Sequence, residues 1–170
     1  MVVLAVVALV LVGMYGGVSF SPGQAADGQT PTADVTGGLQ RAAPLMGFPV
    51  VIPADLPATW NPSSFSFTDK AAATTDKPPA VRAGWLTEQG RFITFVQSDG
   101  VVADVLAAEL GTVAPPTGTE QVGPAEWTVT SGRREEAAWL RTVGDVTFLI
   151  TGTASPEDFR TLALAVAAGS

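Results

Sequence analysis

The sequence predicts an α+β fold: a mainly antiparallel sheet built from two ββββα-like repeats with helices on one face, preceded by a single N-terminal transmembrane helix. Three observations lead there. Residues 1–20 carry no charged side chain and open on the unbroken apolar run 2–12. As a helix rising 1.5 Å per residue this stretch would be about 30 Å long, the thickness of a bilayer's hydrocarbon core. Beyond it, short apolar or alternating segments are separated by Gly, Pro and charged turns, the pattern of successive hairpins. The two halves also echo each other. Trp85-Leu86 returns as Trp139-Leu140 and Gly90 as Gly144, both at a spacing of 54, so that residues 92–96 coincide with 146–150. With a three-residue insertion, Val102, Val105 and Leu106 then match Phe159, Leu162 and Ala163.

The chain divides into a transmembrane anchor or signal segment at 1–20, a flexible linker at 21–38 and an extracytoplasmic α+β domain at 39–170. A backbone in lipid must satisfy its own hydrogen bonds, so the head must be helical if it enters a membrane. Tyr15 suits the headgroup level. Two readings stand: an uncleaved anchor, favoured by length, or a signal peptide cut near Gly23-Gln24-Ala25 or Gln24-Ala25-Ala26. Neither has a Lys or Arg before Arg41 to fix orientation, and a basic leader upstream of Met1 is the corresponding expectation. Gly13 and Gly17 form a GxxxG pair, which ordinary glycine use in membrane helices also accounts for. The linker is rich in Ser, Pro, Gly, Ala, Thr and Gln and buries too little to offset its ordering entropy.

Along the domain, Val35, Leu39, Ala42 and Ala43 share one face of a short helix at 34–46, weakened by Gly37-Gly38 and Pro44. Residues 48–53 read as a short apolar strand bounded by Pro49 and Pro53, and 56–60 as a turn. Residues 63–68 alternate, with Phe65 and Phe67 on one side. Strands follow at 81–87 and 91–98, joined by Glu88-Gln89-Gly90. A helix capped by Ser98 or Asp99 runs to Leu110 and stops at Gly111. A Pro-rich link at 113–119 leads to strands at 121–124, 127–131, 136–143 and 146–151. The last helix runs from Pro156 to about Ala168, with Ser155 as cap, Glu157 and Asp158 in the first turn, and Phe159, Leu162, Ala163 and Val166 as its apolar stripe. Residues 92–96 and 146–150 are apolar on both faces, so both strands are expected at the sheet centre with the second face covered too. The chain itself is the expected cover, by the 34–46 helix or the Pro-rich loops, ahead of an apolar ligand or partner.

Composition removes several chemistries. The chain has 16 acidic and 9 basic residues, a net charge of −7, and no basic run beyond Arg133-Arg134, which argues against nucleic acid as a partner. Seven Arg against two Lys, with much Ala, Gly, Val and Thr, points to a GC-rich genome. There is no His and no Cys. That excludes Ser/His/Asp and Cys/His nucleophiles, disulfides, a lipidated Cys and Cys/His metal clusters. No P-loop, dinucleotide fingerprint or calcium loop is present, and Asn61 before Pro62 is no glycosylation acceptor. No catalytic, cofactor-binding or metal-binding residue is assigned, and no cofactor is expected. Carboxylate pairs remain conceivable for glycoside hydrolysis. The candidates are Glu88, Asp99, Glu126, Glu135, Glu136 and Asp145, nearly all in turns where charge is simply solvated. Arg133-Arg134-Glu135-Glu136 reads as a self-compensated hairpin tip. Trp60, Trp85, Trp127 and Trp139 recur at matching repeat positions, which favours core packing over a sugar-stacking platform.

The Leu56-Pro57-x-x-Trp60 turn, the hairpin of Trp85 and residues 92–97, the Gly123-to-Trp127 step, the Thr151-Gly152 strand end and the closing helix together resemble an actinobacterial membrane-protein family, domain of unknown function 4245. The resemblance spans about 41–168. It implies a single-pass cell-membrane protein with its C-terminal domain outside the cytoplasm, and carries over no catalytic residue. The expected function is a membrane-anchored envelope binding or scaffolding module, engaging an envelope protein or lipid rather than acting as an enzyme. The alternatives are an exported carrier of apolar or lipid ligands and a carboxylate-dependent hydrolase.

Overall fold

A computed structural model describes residues 32–111, 115–132 and 136–169. The expected anchor at 1–20 and most of the linker lie outside these residues. Among the described residues no helix is long and apolar enough to cross a membrane.

The first described element is helix α1 (Val35–Ala42), extended by a 3-10 turn (Ala43–Leu45). It begins inside the stretch expected as linker. The two glycines that weaken the pattern have specific uses. A Cβ on Gly37 would strike the Asp34 carboxylate, and one on Gly38 would enter the Phe65 ring. The first leaves room for the cap, since the Gly37 N–H donates to Asp34 Oδ1 at 3.0 Å. The second lets the helix lie directly on strand β1 (Asn61–Thr68). Next come β2 (Ala80–Leu86), β3 (Phe92–Ser98) and helix α2 (Val102–Leu110). Then follow β4 (Gly118–Val122), β5 (Ala125–Ser131), β6 (Ala137–Val143), β7 (Val146–Gly152) and helix α3 (Pro156–Ala168). The α3 start matches its sequence signal: Ser155 and Asp158 form a capping box.

The strands make one open antiparallel sheet in the order β1-β2-β3-β7-β6-β5-β4. The doubly apolar strands β3 and β7 are neighbours at its centre, as expected. One face, here the inner face, carries Ile93, Phe95, Phe148 and Ile150 with all four tryptophans. The outer face carries Val96 and Leu149.

The helices do not share one face. α1 and α3 cover the inner face, through Val35, Leu39, Phe159, Leu162 and Val166. α2 covers part of the outer face: Leu110 and Leu106 pack with Ala80, Val96, Ala138 and Leu149. An ion pair from Arg82 to Glu109 (2.6 Å) ties α2 to β2. The cause is the strand composition itself. Val96 and Leu149 are as apolar as their inner-face neighbours, and leaving them wet would forgo roughly 25 cal/mol per Å². The chain covers its second face, but with α2 and not with the first helix.

The repeat is real in the sheet and departs from the expected pattern in two places. Trp85 pairs with Ile93 and Pro62, and Trp139 pairs with Ile150 and Val129. Trp60 and Trp127 each lie two residues before that second partner. Trp85 and Trp139 are 54 apart, but Ile93 and Ile150 are 57 apart. The three-residue insertion therefore lies in the second hairpin and not between strand and helix. The first hairpin has one pair beyond its tryptophan pair, Leu86 with Phe92. The second has four, down to Val143 with Val146, and closes on Gly144 at φ 58°. The sheet's approximate two-fold runs through the Thr94–Thr151 pair. It relates three strands of the first half to β5, β6 and β7, so the first unit is βββα and only the second ββββα.

The missing strand is residues 48–53, which is not a strand. It is a strap crossing the inner face, with Phe48 and Val51 buried in that core. Pro49 and Pro53 lack the N–H donors a ladder needs. The central peptide groups are met by a side chain instead. The Val51 N–H donates to Gln97 Oε1 at 2.7 Å, and Gln97 Nε2 donates to the Val51 carbonyl at 2.8 Å. Gln97 is fully buried. Its amide orientation follows from the partners, since a flip would set donor against donor. The Ala54 N–H then donates to the Ala165 carbonyl at 3.0 Å, near the C-terminal end of α3.

Two predictions follow from these contacts. Gln97→Met removes both strap bonds while keeping the volume, and leaves the Val51 peptide dry and unpaired. It should lower unfolding stability by about 2–4 kcal/mol, on the order of 10 °C in Tm, read by thermal and urea unfolding. A change below about 0.5 kcal/mol would show that the strap is not held this way. The Asp34 carboxyl sits below its ordinary value of 3.8, through the Gly37 N–H first and the Arg41 guanidinium second. A lowered folded-state pKa means that the cap's contribution is complete above the unfolded value and lost as pH falls through the folded one. The Gly37 amide resonance should therefore titrate below pH 3.8. Asp34→Asn, which still caps, should abolish that inflection.

Candidate functional site

The strap creates an apolar cleft where it meets the end of the second hairpin. Phe148 and Val51, both largely buried, form its floor. Pro49, Val143, Val146, Pro124 in the β4–β5 turn and Ala167 of α3 form its walls. Its volume is about 410 Å³, within the few-hundred-Å³ range of small-molecule sites. Val143 is 43 % exposed. One charged side chain among the described residues lines the cleft, Arg141, which pairs with Phe148 across the β6–β7 ladder and so leaves the sheet on the inner face. Among the described residues no carboxylate lies within ion-pair distance of Arg141, whereas Arg41 and Arg82 each hold one and Arg160 holds two.

The candidate carboxylates are mostly dispersed. Glu88 is exposed in the β2–β3 turn, Glu126 is exposed on β5, and Glu136 precedes β6. Glu135, with Arg133 and Arg134, lies outside the described residues. Asp99 and Asp145 line a common depression, of about 540 Å³, with Lys70 and Thr142. Asp99 Oδ2 is paired with Lys70 Nζ at 2.7 Å. A carboxyl kept protonated as a general acid needs burial without such a counter-charge. Glu157 and Asp158 serve the start of α3: Asp158 closes the capping box, and Glu157 reaches Arg160 at 3.6 Å. Among the described residues no group of three or more His, Cys, Asp or Glu is placed to hold a metal ion. The four tryptophans are 0–7 % exposed, in the core.

Gln97, Arg141 and the strap are absent from the sequence-based candidates. A signal for the first was available. Gln97 continues the inner-face alternation of Ile93 and Phe95, and a polar side chain at such a position must find a partner. Arg141 likewise continues the alternation of Ala137 and Trp139. What lies above each depends on the path of the strap, which no local pattern specifies.

The fold and cleft define an open-sheet α+β domain of unknown function. The family model for proteins of unknown function DUF4245 matches residues 1–166, and the chain belongs to that family. No curated protein and no solved structure matches the chain.

Because Val143 is exposed at the cleft mouth on a strand that tolerates aromatic residues, Val143→Trp should fill the cleft at little cost. Its unfolding free energy should lie within about 0.5 kcal/mol of the parent. A loss above about 2 kcal/mol would mean that the cleft is part of the packed core.

Proposed function

We propose that this chain is a membrane-anchored, extracytoplasmic module of an actinobacterial cell envelope, and that it binds a ligand in the apolar cleft rather than transforming one. The observation that supports binding is the cleft itself: a concave apolar surface beside a guanidinium that no carboxylate among the described residues pairs. The chain's lack of His and Cys and the scatter of its carboxylates favour holding over catalysis. The uncharged head at 1–20 supports the anchor. Within this reading, carriage of an apolar or lipid ligand gains over scaffolding, because a cleft of this size suits a small molecule better than a flat partner surface.

Two measurements test it. In fractionated cells the full chain should sediment with membranes, and added protease should degrade the 39–170 domain once the envelope is permeable, with the inner membrane intact. Soluble or protease-protected protein would overturn the anchored reading. Protein extracted in native nanodiscs should carry a small apolar molecule detectable by mass spectrometry. Val143→Trp should reduce it at least fivefold. Equal amounts on both proteins would place the molecule elsewhere.

A further inference from the structure

We infer that the ligand of this cleft is a single-chain monocarboxylate amphiphile, with its tail on Phe148 and Val146 and its carboxylate on the Arg141 guanidinium. The inference rests on the preceding reading that the cleft is a binding site. Arg141 supplies the head-group chemistry. Its ladder partner Phe148 is floor, so the guanidinium stem rises beside the most buried apolar surface of the cleft. An arginine stem can pack along such a surface while its head stays polar. The planar head then offers two parallel N–H donors that match a carboxylate.

The electrostatics select the sign. The net charge of −7 opposes an anion at long range, so the sign is set locally: three other described arginines are neutralised by carboxylates of the chain, Arg41 by Asp34, Arg82 by Glu109, and Arg160 by Glu120. Arg91 is different in setting: it lines a polar depression with Glu157 and Asp158. Arg141 alone among the described arginines faces apolar walls without a carboxylate beside it. A cationic head group would be repelled there, and a neutral one would leave the guanidinium uncompensated on entry. A single cation suits a single negative charge, which favours a carboxylate over a dianionic phosphate. The tail is short, since about 410 Å³ is near the lower end for ligand pockets.

The test is site-resolved photolabelling of the full chain in nanodiscs, with three decyl-chain diazirine probes bearing a carboxylate, an alcohol or a phosphate. Labelled residues are mapped by mass spectrometry. The carboxylate probe should label cleft residues at least fivefold more than the alcohol or the phosphate. Arg141→Gln should remove that preference, Arg141→Lys should keep at least half of it, and Val143→Trp should suppress every probe. All variants are first matched to the parent by Tm. Equal labelling by carboxylate and alcohol, unchanged in Arg141→Gln, would overturn the head-group assignment and leave the cleft standing. Preference for the phosphate would overturn the monocarboxylate. Labelling that avoids the cleft, with Val143→Trp behaving as the parent, would overturn the binding site as well.

Discussion

The inner half of this domain depends on a single side-chain amide. The strap at residues 48–53 must bring apolar groups across the central strands, yet its prolines prevent it from pairing as a strand. Gln97, on central strand β3, meets both polar groups of the Val51 peptide. Two buried peptide groups are thereby satisfied without a ladder, at a point where neither could reach water. Phe48 and Val51 are thereby held in the inner core, which also holds Phe95, Phe148, Trp139 and the apolar stripe of α3. The arrangement has one consequence for α3: its Ala165 carbonyl accepts from the strap's Ala54, so strap and helix end are fixed together. Loss of the amide would thus propagate to two elements rather than one.

Local chemistry made most of the elements readable. The last helix carries its own start signal in Ser155, Pro156, Glu157 and Asp158. The central strands announced themselves by being apolar on both faces. The four tryptophans marked a real repeat, and the inference of a covered second face was correct. What was not readable depended on choices made at a distance. Residues 48–53 have the composition of a strand, but whether such a segment pairs or crosses is decided by Gln97, nearly fifty residues later in the chain. Which face receives α2 is decided by Val96 and Leu149 jointly, on strands from different halves. The position of the insertion was hidden because Gly90 and Gly144 both belong to turns and line up by residue number. The pairing partners of Trp85 and Trp139 show that the true equivalence shifts before β3. As for the cleft, the sequence offered its parts without any indication that they meet.

Two of the departures from internal symmetry, the strap and the longer second hairpin, account for the cleft. In the second half the fourth strand stays in the sheet as β4, and its turn brings Pro124 to the inner side. In the first half the corresponding segment leaves the sheet edge and crosses the inner face, bringing Pro49 and Val51. The second hairpin is also the longer one. Its extra pairs beyond Trp139 include Arg141 with Phe148 and Val143 with Val146, which supply floor and mouth and, among the described residues, the one charge of the cleft. A symmetric pair of units would have had neither the strap nor the extension, and hence no concave apolar surface at this end of the sheet. The repeated strand pairing accounts for the frame, in which the four tryptophans are buried in packing. The residues that line the cleft are those that the repeat does not account for.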